Sequence, residues 1–418
     1  MKLSTFNTYL NISESSGVIY NSFVDKAVFV SNNVLGQIRN GTRQNLDKLI
    51  IDTAFVGKQC DEFEQYSKYI LSIENNTDSY HLIINPTLEC IFNCWYCYEQ
   101  HTKGRINKDI FERIKLLIID LSERYPQLTI SFFGGEPMMC YKSSLIPIVK
   151  FAHKTFYSKG KRFQFNMTTN GYLFTEERIS EMKTWGFTGA QITLDGDEKL
   201  HNSVRFLENG HPTYNRIVKN IQLLTQSGCH ITLRLNCTHK NINNLSKISQ
   251  SFTELSETAK QHLRIDCHIV WQEQNKDELQ GKMHQLVSDF SNHNLLATKM
   301  DFRGFCYADK RAGCVINYNG DVYKCTAIDF KNVKRDGFLS KNGEIIWENN
   351  SLETRMNSKF KNKLCHNCRI WPLCHGGCTR KSLESNENYC LYPTDNQKDQ
   401  MVINRLEYII TNKHYESK

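Results

Sequence analysis

The run Cys90-Ile-Phe-Asn-Cys94-Trp-Tyr-Cys97 constrains this chain more than any other feature, because it sets three thiols within one eight-residue loop. A 4Fe–4S cube takes four ligands, and ferredoxin-type sites supply four cysteines. Three ligands leave one iron open, and an open metal position is where substrate chemistry takes place. The competing readings are a zinc knuckle and three unrelated thiols. Zinc usually draws a fourth Cys or His from close by, and His81 and His101 lie at offsets that do not serve. Sixteen cysteines in a chain without a secretion signal argue for metal ligation over disulfides.

The 418 residues exceed one ordinary domain, so two or three units are expected. The N-terminus lacks an apolar signal-type segment, and no run of about 18 apolar residues appears. The expectation is a cytoplasmic protein with no membrane partner. The formal charge of +8 overstates the basicity. Each oxidised cube on four cysteines carries about −2 and one on three about −1, so three clusters would leave about +3. No basic stripe with interleaved aromatics is present, which excludes nucleic acid as a partner. Lys331–Arg335 reads as a solvated loop.

From Leu82 to Val270, strand-like and helix-like segments alternate. Candidate strands are His81–Leu88, Leu128–Gly134, Phe163–Asn170, Ala190–Asp195, His230–Asn236 and Arg264–Val270, each rich in β-branched or aromatic residues. Amphipathic stretches lie between them: Lys108–Arg124, Glu176–Trp185, Tyr214–Gln226 and Asn244–Thr258. The fold class is α/β, a partial (β/α)6 TIM-like barrel. The cysteine loop, Gly134-Gly135-Glu136-Pro137, Thr168-Thr169-Asn170-Gly171 and Thr193-Leu194-Asp195-Gly196 follow strands one to four in turn. That is the face on which βα barrels carry their active sites.

Residues 1–78 break this rhythm. They read as short strands (Val18–Tyr20, Ala27–Val30) and helices (Asn32–Ile38, Asn45–Thr53, Gln59–Ile73), a small α+β domain. The domains expected are therefore 1–78, the barrel 79–300, a Cys-rich domain 301–395 and a C-terminal helix within 396–418. Residues 271–300 read as a helix, and Gln400–Thr411 as another.

The C-x3-C-x2-C spacing, with Tyr96 directly before the third cysteine, resembles the signature of radical S-adenosylmethionine (SAM) enzymes. In that family Cys90, Cys94 and Cys97 would hold a cluster whose open iron is chelated by SAM. The resemblance implies that Gly134–Pro137 binds the SAM amino group and that Tyr96 packs near the adenine. It further implies that Asn170, Thr193 and Asp195 lie near the ribose or methionine part. Arg205 is a candidate clamp for the SAM carboxylate, with a surface salt bridge as its alternative. Asn170-Gly171 also reads as an ordinary turn.

The second Cys-rich region resembles the SPASM extension of radical SAM peptide-modifying enzymes. Thirteen residues separate Cys306 from Gly320 and four separate Gly320 from Cys325; then come Cys365, Cys368, Cys374, Cys378 and Cys390. By that resemblance Cys306, Cys314, Cys325 and Cys378 hold one auxiliary 4Fe–4S cluster, and Cys365, Cys368, Cys374 and Cys390 the other. With the SAM-binding cluster this makes three. Cys314 has a strand-core thiol as its alternative, and Cys365–Cys378 a four-cysteine zinc site. His366 and His375 read as groups around the ligands or facing solvent. Cys60, Cys140, Cys229, Cys237 and Cys267 have no ligand spacing and read as buried thiols.

The reaction implied is reductive cleavage of SAM to a 5′-deoxyadenosyl radical that abstracts hydrogen from an unactivated carbon. The leading expectation is maturation of a ribosomally made precursor peptide by crosslinking, with residues 1–78 resembling a leader-recognition element or else capping the barrel. The partners are that peptide and a small redox protein as electron donor. A sulfatase-maturating (formylglycine-generating) enzyme ranks below it, because Thr326 stands where those enzymes carry an Asp proposed as base. A non-catalytic electron-transfer protein is disfavoured, since it has no use for Gly134–Pro137.

Overall fold

The computed structural model describes residues 1–416 apart from 43, 45, 300–303, 386 and 387. Asn45, where one expected helix begins, and the expected boundary at 300/301 lie outside the described residues. The chain forms two compact units, neither of them continuous: Met1–Asn76 with Asp301–Arg311 and Leu352–Lys418, and Thr77–Met300 with Ala312–Ser351. The structure thus departs from four consecutive domains. Residues 301–395 are divided, because part of the segment finds a strand edge to pair with and part finds aromatic surface to bury.

The first unit begins with β1 (Lys2–Leu3), β2 (Asn7–Asn11), β3 (Ser16–Asn21) and β4 (Lys26–Ser31), followed by α1 (Asn32–Arg39), α2 (Lys48–Ala54), β5 (Phe55–Val56) and α3 (Glu62–Glu74). β2-β3-β4 is an antiparallel meander, and β1 pairs with β5. Each helix starts on a side-chain cap: Ser31, Asp47 and Asp61 accept from Val34, Ile50 and Glu64 N–H. Ile19, Val28, Leu35, Ile38 and Ile50 form the core beneath α1 and α2. The expected strands lie inside β3 and β4, whereas β1, β2 and β5 were not anticipated. Two of these are two residues long, too short for periodicity to register.

The second unit is one large sheet with helices. Its elements are β6 (Tyr80–Ile84), α4 (Lys108–Arg124), β7 (Gln127–Phe132), α5 (Ile146–Tyr157), β8 (Arg162–Thr169), α6 (Glu176–Thr184), β9 (Phe187–Leu194), α7 (Glu198–Val204), α8 (Tyr214–Gln226), β10 (His230–Cys237), α9 (Glu257–Gln261), β11 (Leu263–Ile269), α10 (Lys276–Ser291) and β12 (Leu296–Lys299). β6 to β12 pair in parallel in chain order. The six expected strands are all present, in the parallel order of a partial barrel. Residues 271–300 are not one helix: Leu296 onward pairs with β11 instead. Asn244–Thr258 is broken too, into a 3-10 helix Leu245–Phe252 and α9. Beyond β6 the sheet continues through β13 (Gly313–Ile316), parallel to β6, and the antiparallel β14 (Asp321–Tyr323), β15 (Gly337–Leu339) and β16 (Ile345–Trp347).

The chain then returns to the first unit as α11 (Ser351–Lys361), α12 (Trp371–Cys374), α13 (Thr379–Glu384) and α14 (Asp395–Glu416). Trp371, fully buried, stacks on Phe63 of α3 at 4.4 Å, and Tyr66 donates from its hydroxyl to Pro372 O at 2.9 Å. Lys359 of α11 is buried with its Nζ 2.6 Å from Glu74 and 3.1 Å from Asp309. Among the described residues no helix is long and apolar enough to cross a membrane.

Candidate active site

Strand alternation decides the chemistry of the large sheet. Leu82, Ile84, Ile130, Phe132, Phe165, Met167, Ile192, Leu194, Leu233, Leu235, Ile265 and Cys267 share the core with the helices. The alternate positions therefore face away from the helices. They are His81, Thr129, Ser131, Gln164, Asn166, Thr193, Arg234, Asn236, Asp266 and His268, with Ile83 as an apolar exception. A closed βα barrel fills this face with branched apolar side chains. Here it is polar and hydrogen-bonded: His81 Nε2 to Ser131 Oγ at 2.7 Å, and Ser131 Oγ to Asn166 Oδ1 at 2.7 Å. A face like this solvates a polar guest.

The cysteine loop rises from the C-terminal end of β6. Its stem is held by Thr87 Oγ1 donating to Gly104 O at 2.7 Å, and by Arg105 with Glu89 at 2.9 Å. Phe92 bridges to Leu207 in the segment after α7. The loop lies against the double glycine: a Cβ on Gly134 would sit 2.3 Å from Thr87 O, and one on Gly135 2.2 Å from Glu89 O. Gly134 also has φ +96°, a conformation glycine adopts without strain. Both glycines are therefore required for packing against the residues that launch Cys90.

Glu136 does not face an open seat. It is wholly buried and accepts from Met138 N–H (2.9 Å), Asn170 N–H (2.7 Å) and Thr169 Oγ1 (2.8 Å), tying the second strand end to the third. Burial raises its pKa against those donors. Pro137 opens the 3-10 turn that follows.

Around the thiols, Tyr96 donates its hydroxyl to Asp195 Oδ2 at 2.6 Å and accepts from Arg205 Nη1 at 2.9 Å. Arg205 lies 3.7 Å from Asp195 and over the Phe92 ring at 5.4 Å. Both charged groups are buried, so Arg205 is no surface salt bridge. Burial raises the Asp195 pKa, opposed by Arg205 and Tyr96. Two residues not singled out beforehand hold this group. His201, fully buried, accepts at Nδ1 from Asp195 N–H at 3.4 Å, and Asn241 Nδ2 donates to Asp195 O at 2.9 Å. A short polar stretch in the sequence carries no signal for either role.

Among the described residues, several buried polar atoms here have no partner: Asp195 Oδ1, Arg205 Nε, Asn170 Nδ2 and both amide atoms of Asn85, which follows β6 directly and lies beside Gly134. Unmet buried donors and acceptors are costly and rare, by about 1–3 kcal/mol each. Their concentration at one strand-end rim fits a polar ligand. Thr193, also buried, lies on the same rim.

The thiols fit a metal group by what they accept. The sulfur of Cys90 receives Phe92 N–H at 3.4 Å, and that of Cys97 receives Glu99 N–H. Burial, chiefly, pushes Cys90 up to about 12 and Cys97 up to about 11, so ionising them calls for a cation among them. Burial raises Cys94 as well, while Arg205 opposes it. Glu99 behind them is buried with Oε2 unpartnered, and burial, then Asp329, pushes it up to about 8.

In the first unit, Cys365 is pushed up to about 12 by burial and then by Cys374, Cys368 and Cys390, so these four thiols converge. Cys374 is held at about 12, by burial first, while Gly376 and Gly377 direct backbone N–H groups at its sulfur. His375, Gly376 and Gly377 have consecutive positive φ values of 52°, 86° and 76°. Successive N–H groups in such a turn form an anion nest of the kind found at iron–sulfur sites. Among the described residues no His, Cys, Asp and Glu group is tight enough for a single ion. A cube spreads its thiolates over separate corners and needs no such tight group. His366 is exposed and lies tilted against the Phe63 ring, with centroids 4.3 Å apart, while His375 meets the Tyr66 hydroxyl at 2.8 Å; burial, then Lys359, lowers the His375 pKa to about 4.

The remaining cysteines divide. Cys325 receives Ala327 N–H at 3.3 Å, like the ligand candidates above. Cys314 instead lies in β13 on the helix side, buried, accepting only from the Tyr80 hydroxyl at 3.5 Å. It occupies the strand-core position and would have to leave the core to ligate. Cys314 and Cys325 belong to the second unit, Cys306 and Cys378 to the first. Cys140 and Cys237 donate to carbonyls of Pro86 and Leu235, as core thiols do.

Residues 84–244 match the family described as the Radical SAM superfamily. A cysteine-type anaerobic sulfatase-maturating enzyme of Clostridium novyi (strain NT) is 22% identical over 336 residues, covering 72% of this chain and 87% of that protein. Mycofactocin maturase MftC of Mycobacterium tuberculosis is 24% identical over 311 residues, covering 70% and 76%. The solved structure of Streptococcus suis SuiB bound to precursor peptide SuiA is alike in fold, with a TM-score of 0.54 at 12% identity over 93% of this chain and 98% of that one.

Proposed function

We propose that this chain is a radical SAM enzyme of the SPASM type, a maturase that crosslinks a ribosomally made precursor peptide. The observation that carries the reading is the rim where Cys90, Cys94 and Cys97 meet the Tyr96–Asp195–Arg205 group and its unpartnered polar atoms. When bound there, the cluster and SAM supply a 5′-deoxyadenosyl radical that takes hydrogen from an unactivated carbon. The protein's part is to hold, orient and exclude water. Arg205, fixed by Tyr96 and Phe92, offers a guanidinium to the SAM carboxylate. Asn85, Asn170 and Asp195 offer the donors and acceptors that have no partner among the described residues. The polar face from His81 to His268 takes the peptide segment.

An auxiliary cluster on Cys365, Cys368, Cys374 and Cys390 is part of this proposal. The maturase named with its peptide, SuiB with SuiA, supports a peptide partner. The edge strand β4, with Phe29 exposed, offers a leader peptide a strand to pair with. The sulfatase-maturating reading stands beside crosslinking, because the C. novyi relative covers as much of this chain as the peptide maturase does.

Anaerobic protein with SAM and dithionite is expected to form 5′-deoxyadenosine; none formed would end the radical reading. A synthetic precursor peptide should then lose about 2 Da per crosslink, whereas a sulfatase-derived peptide converted to formylglycine in preference would favour the second reading. Deleting residues 1–75 should weaken leader binding at least tenfold, and unchanged affinity would leave that unit a cap.

A further inference from the structure

Charge is spread very unevenly along this chain. Between Glu353 and Glu384 there is no Asp or Glu, and there are seven cations: Arg355, Lys359, Lys361, Lys363, Arg369, Arg380 and Lys381. The formal charge of the whole chain is +8, so all but one unit of it resides in these 30 residues. The same stretch carries Cys365, Cys368, Cys374 and Cys378. A charge asymmetry of this size points to a partner or surface of opposite sign.

Four of the seven are taken up within the fold. Lys359 and Arg355 face Asp309, Lys359 also Glu74; Arg369 pairs with Asp395 and Asp399, and Arg380 with Glu384. The cation that acts on Cys365 is the buried Lys359. Lys361, Lys363 and Lys381 are exposed, and among the described residues they make no ion pair. Balancing buried thiolates does not account for them, since charges on exposed side chains are screened by water. Between Lys363 and Cys365 stands Leu364, 53% exposed, followed by exposed His366 and Asn367. Beside these two, a groove of about 380 Å³ adds exposed Lys2 and Lys58, with Asp61 as its exposed carboxylate.

We infer that this face docks a small acidic electron-carrier protein of the flavodoxin or ferredoxin kind. It would exchange one electron with the metal group proposed on Cys365, Cys368, Cys374 and Cys390, so the inference rests on the function proposed above. In the forward direction the carrier is oxidised by one electron and the group reduced by one, with no bond made or broken. An exposed apolar side chain with exposed lysines one and three positions before it in the chain matches the apolar-centre, charged-rim plan of protein interfaces. Redox encounters are small and transient, and complementary charge gives them rate and orientation. Two of the cysteines follow Leu364 closely in the chain: Cys365 is buried and Cys368 half-buried. Electron transfer weakens steeply with distance, which favours docking over such a loop.

The test uses the full-length, cluster-loaded chain and a flavodoxin of net negative charge as probe. In low salt, K361E/K363E/K381E should bind the flavodoxin at least tenfold more weakly than the parent, with K361Q/K363Q/K381Q intermediate. Carbodiimide should join flavodoxin carboxylates to Lys361 or Lys363 of the parent. Dithionite-driven 5′-deoxyadenosine formation should be equal in parent and variants, which reports intact folding. Unchanged flavodoxin affinity, or crosslinks confined to other lysines, would overturn the assignment. So would loss of poly-glutamate peptide binding with flavodoxin binding intact, since the face would then serve an acidic peptide. A parent that forms no 5′-deoxyadenosine but binds flavodoxin through these lysines would sink the radical reading and leave the docking face standing.

Discussion

The two cysteine-rich regions use the same side chain in opposite surroundings. The Cys90–Cys97 loop sits among charged and polar groups, several with no partner, on a rim that two glycines bring close to the backbone. In the Cys365–Cys390 region, Cys365, Cys368 and Cys374 pack with Trp371, Phe63 and Tyr66 in a cluster of aromatic and aliphatic side chains, and Cys390 acts on Cys365. The first is built to be completed by something that is not protein, and the second is built closed. Ligand number and surroundings therefore agree: three thiols where a guest is needed, four where none is.

Cysteine removal should break the comparison most sharply. Cys94→Ala is expected to lower 5′-deoxyadenosine formation by about 10³-fold or more, because the open position is lost with its cluster. Cys365→Ala should retain measurable cleavage and lose about 4 iron atoms per chain if the proposed auxiliary cluster is present. Equal activity of the two variants would erase the distinction between an open and a closed site. Next in size is Trp371→Ala, expected to destabilise the first unit by about 3–5 kcal/mol through a large cavity against Phe63. Unfolding followed by the fluorescence of unit-specific probes would show whether the second unit melts unchanged.

A smaller effect should follow Glu99. Its folded carboxyl keeps a proton up to about pH 8, while its unfolded counterpart releases it near 4.5. Across that window the folded state binds more protons, so stability falls as pH rises. Glu99→Gln should flatten the fall, stabilising the metal-free chain more at pH 8 than at pH 5, by on the order of 1–2 kcal/mol, with a correspondingly larger rise in Tm at pH 8. Parallel Tm curves for parent and variant would show that Glu99 is already ionised. The mildest change is Arg205→Lys, which keeps the charge and loses the planar contact with Phe92 and the bond to Tyr96. SAM affinity should drop about tenfold, or about 1.4 kcal/mol, in equilibrium binding. An unchanged affinity would remove Arg205 from the site.

Legibility followed the range of the interactions. The six parallel strands and α4 and α8 were readable because burying one face of a strand or helix imposes a short period, and Lys108–Arg124 and Tyr214–Gln226 carry it from end to end. The segment 271–300 misled because Leu296–Lys299 is a strand only by virtue of the β11 edge beside it. Cys314 shows the same limit: its spacing after Cys306 suits a ligand, yet pairing with Leu82 turns its thiol to the helix side.

The sequence by itself determined the chemistry, since thiol spacing, the double glycine before Glu136, and the supply of further cysteines are facts of composition and order. Only the tertiary structure decided which groups serve it. It brought Arg205 to Tyr96 across 109 positions, buried Glu136 as a tie between strand ends, and divided residues 301–395 between two units. It also separated thiols that receive backbone N–H groups, as at Cys90, Cys97, Cys325 and Cys374, from those that donate into the core. The physical reason is one of distance. A ligand's spacing is set along the chain within a few residues, whereas its partners, burial and electrostatic surroundings come from strands and helices that meet only when the chain has folded.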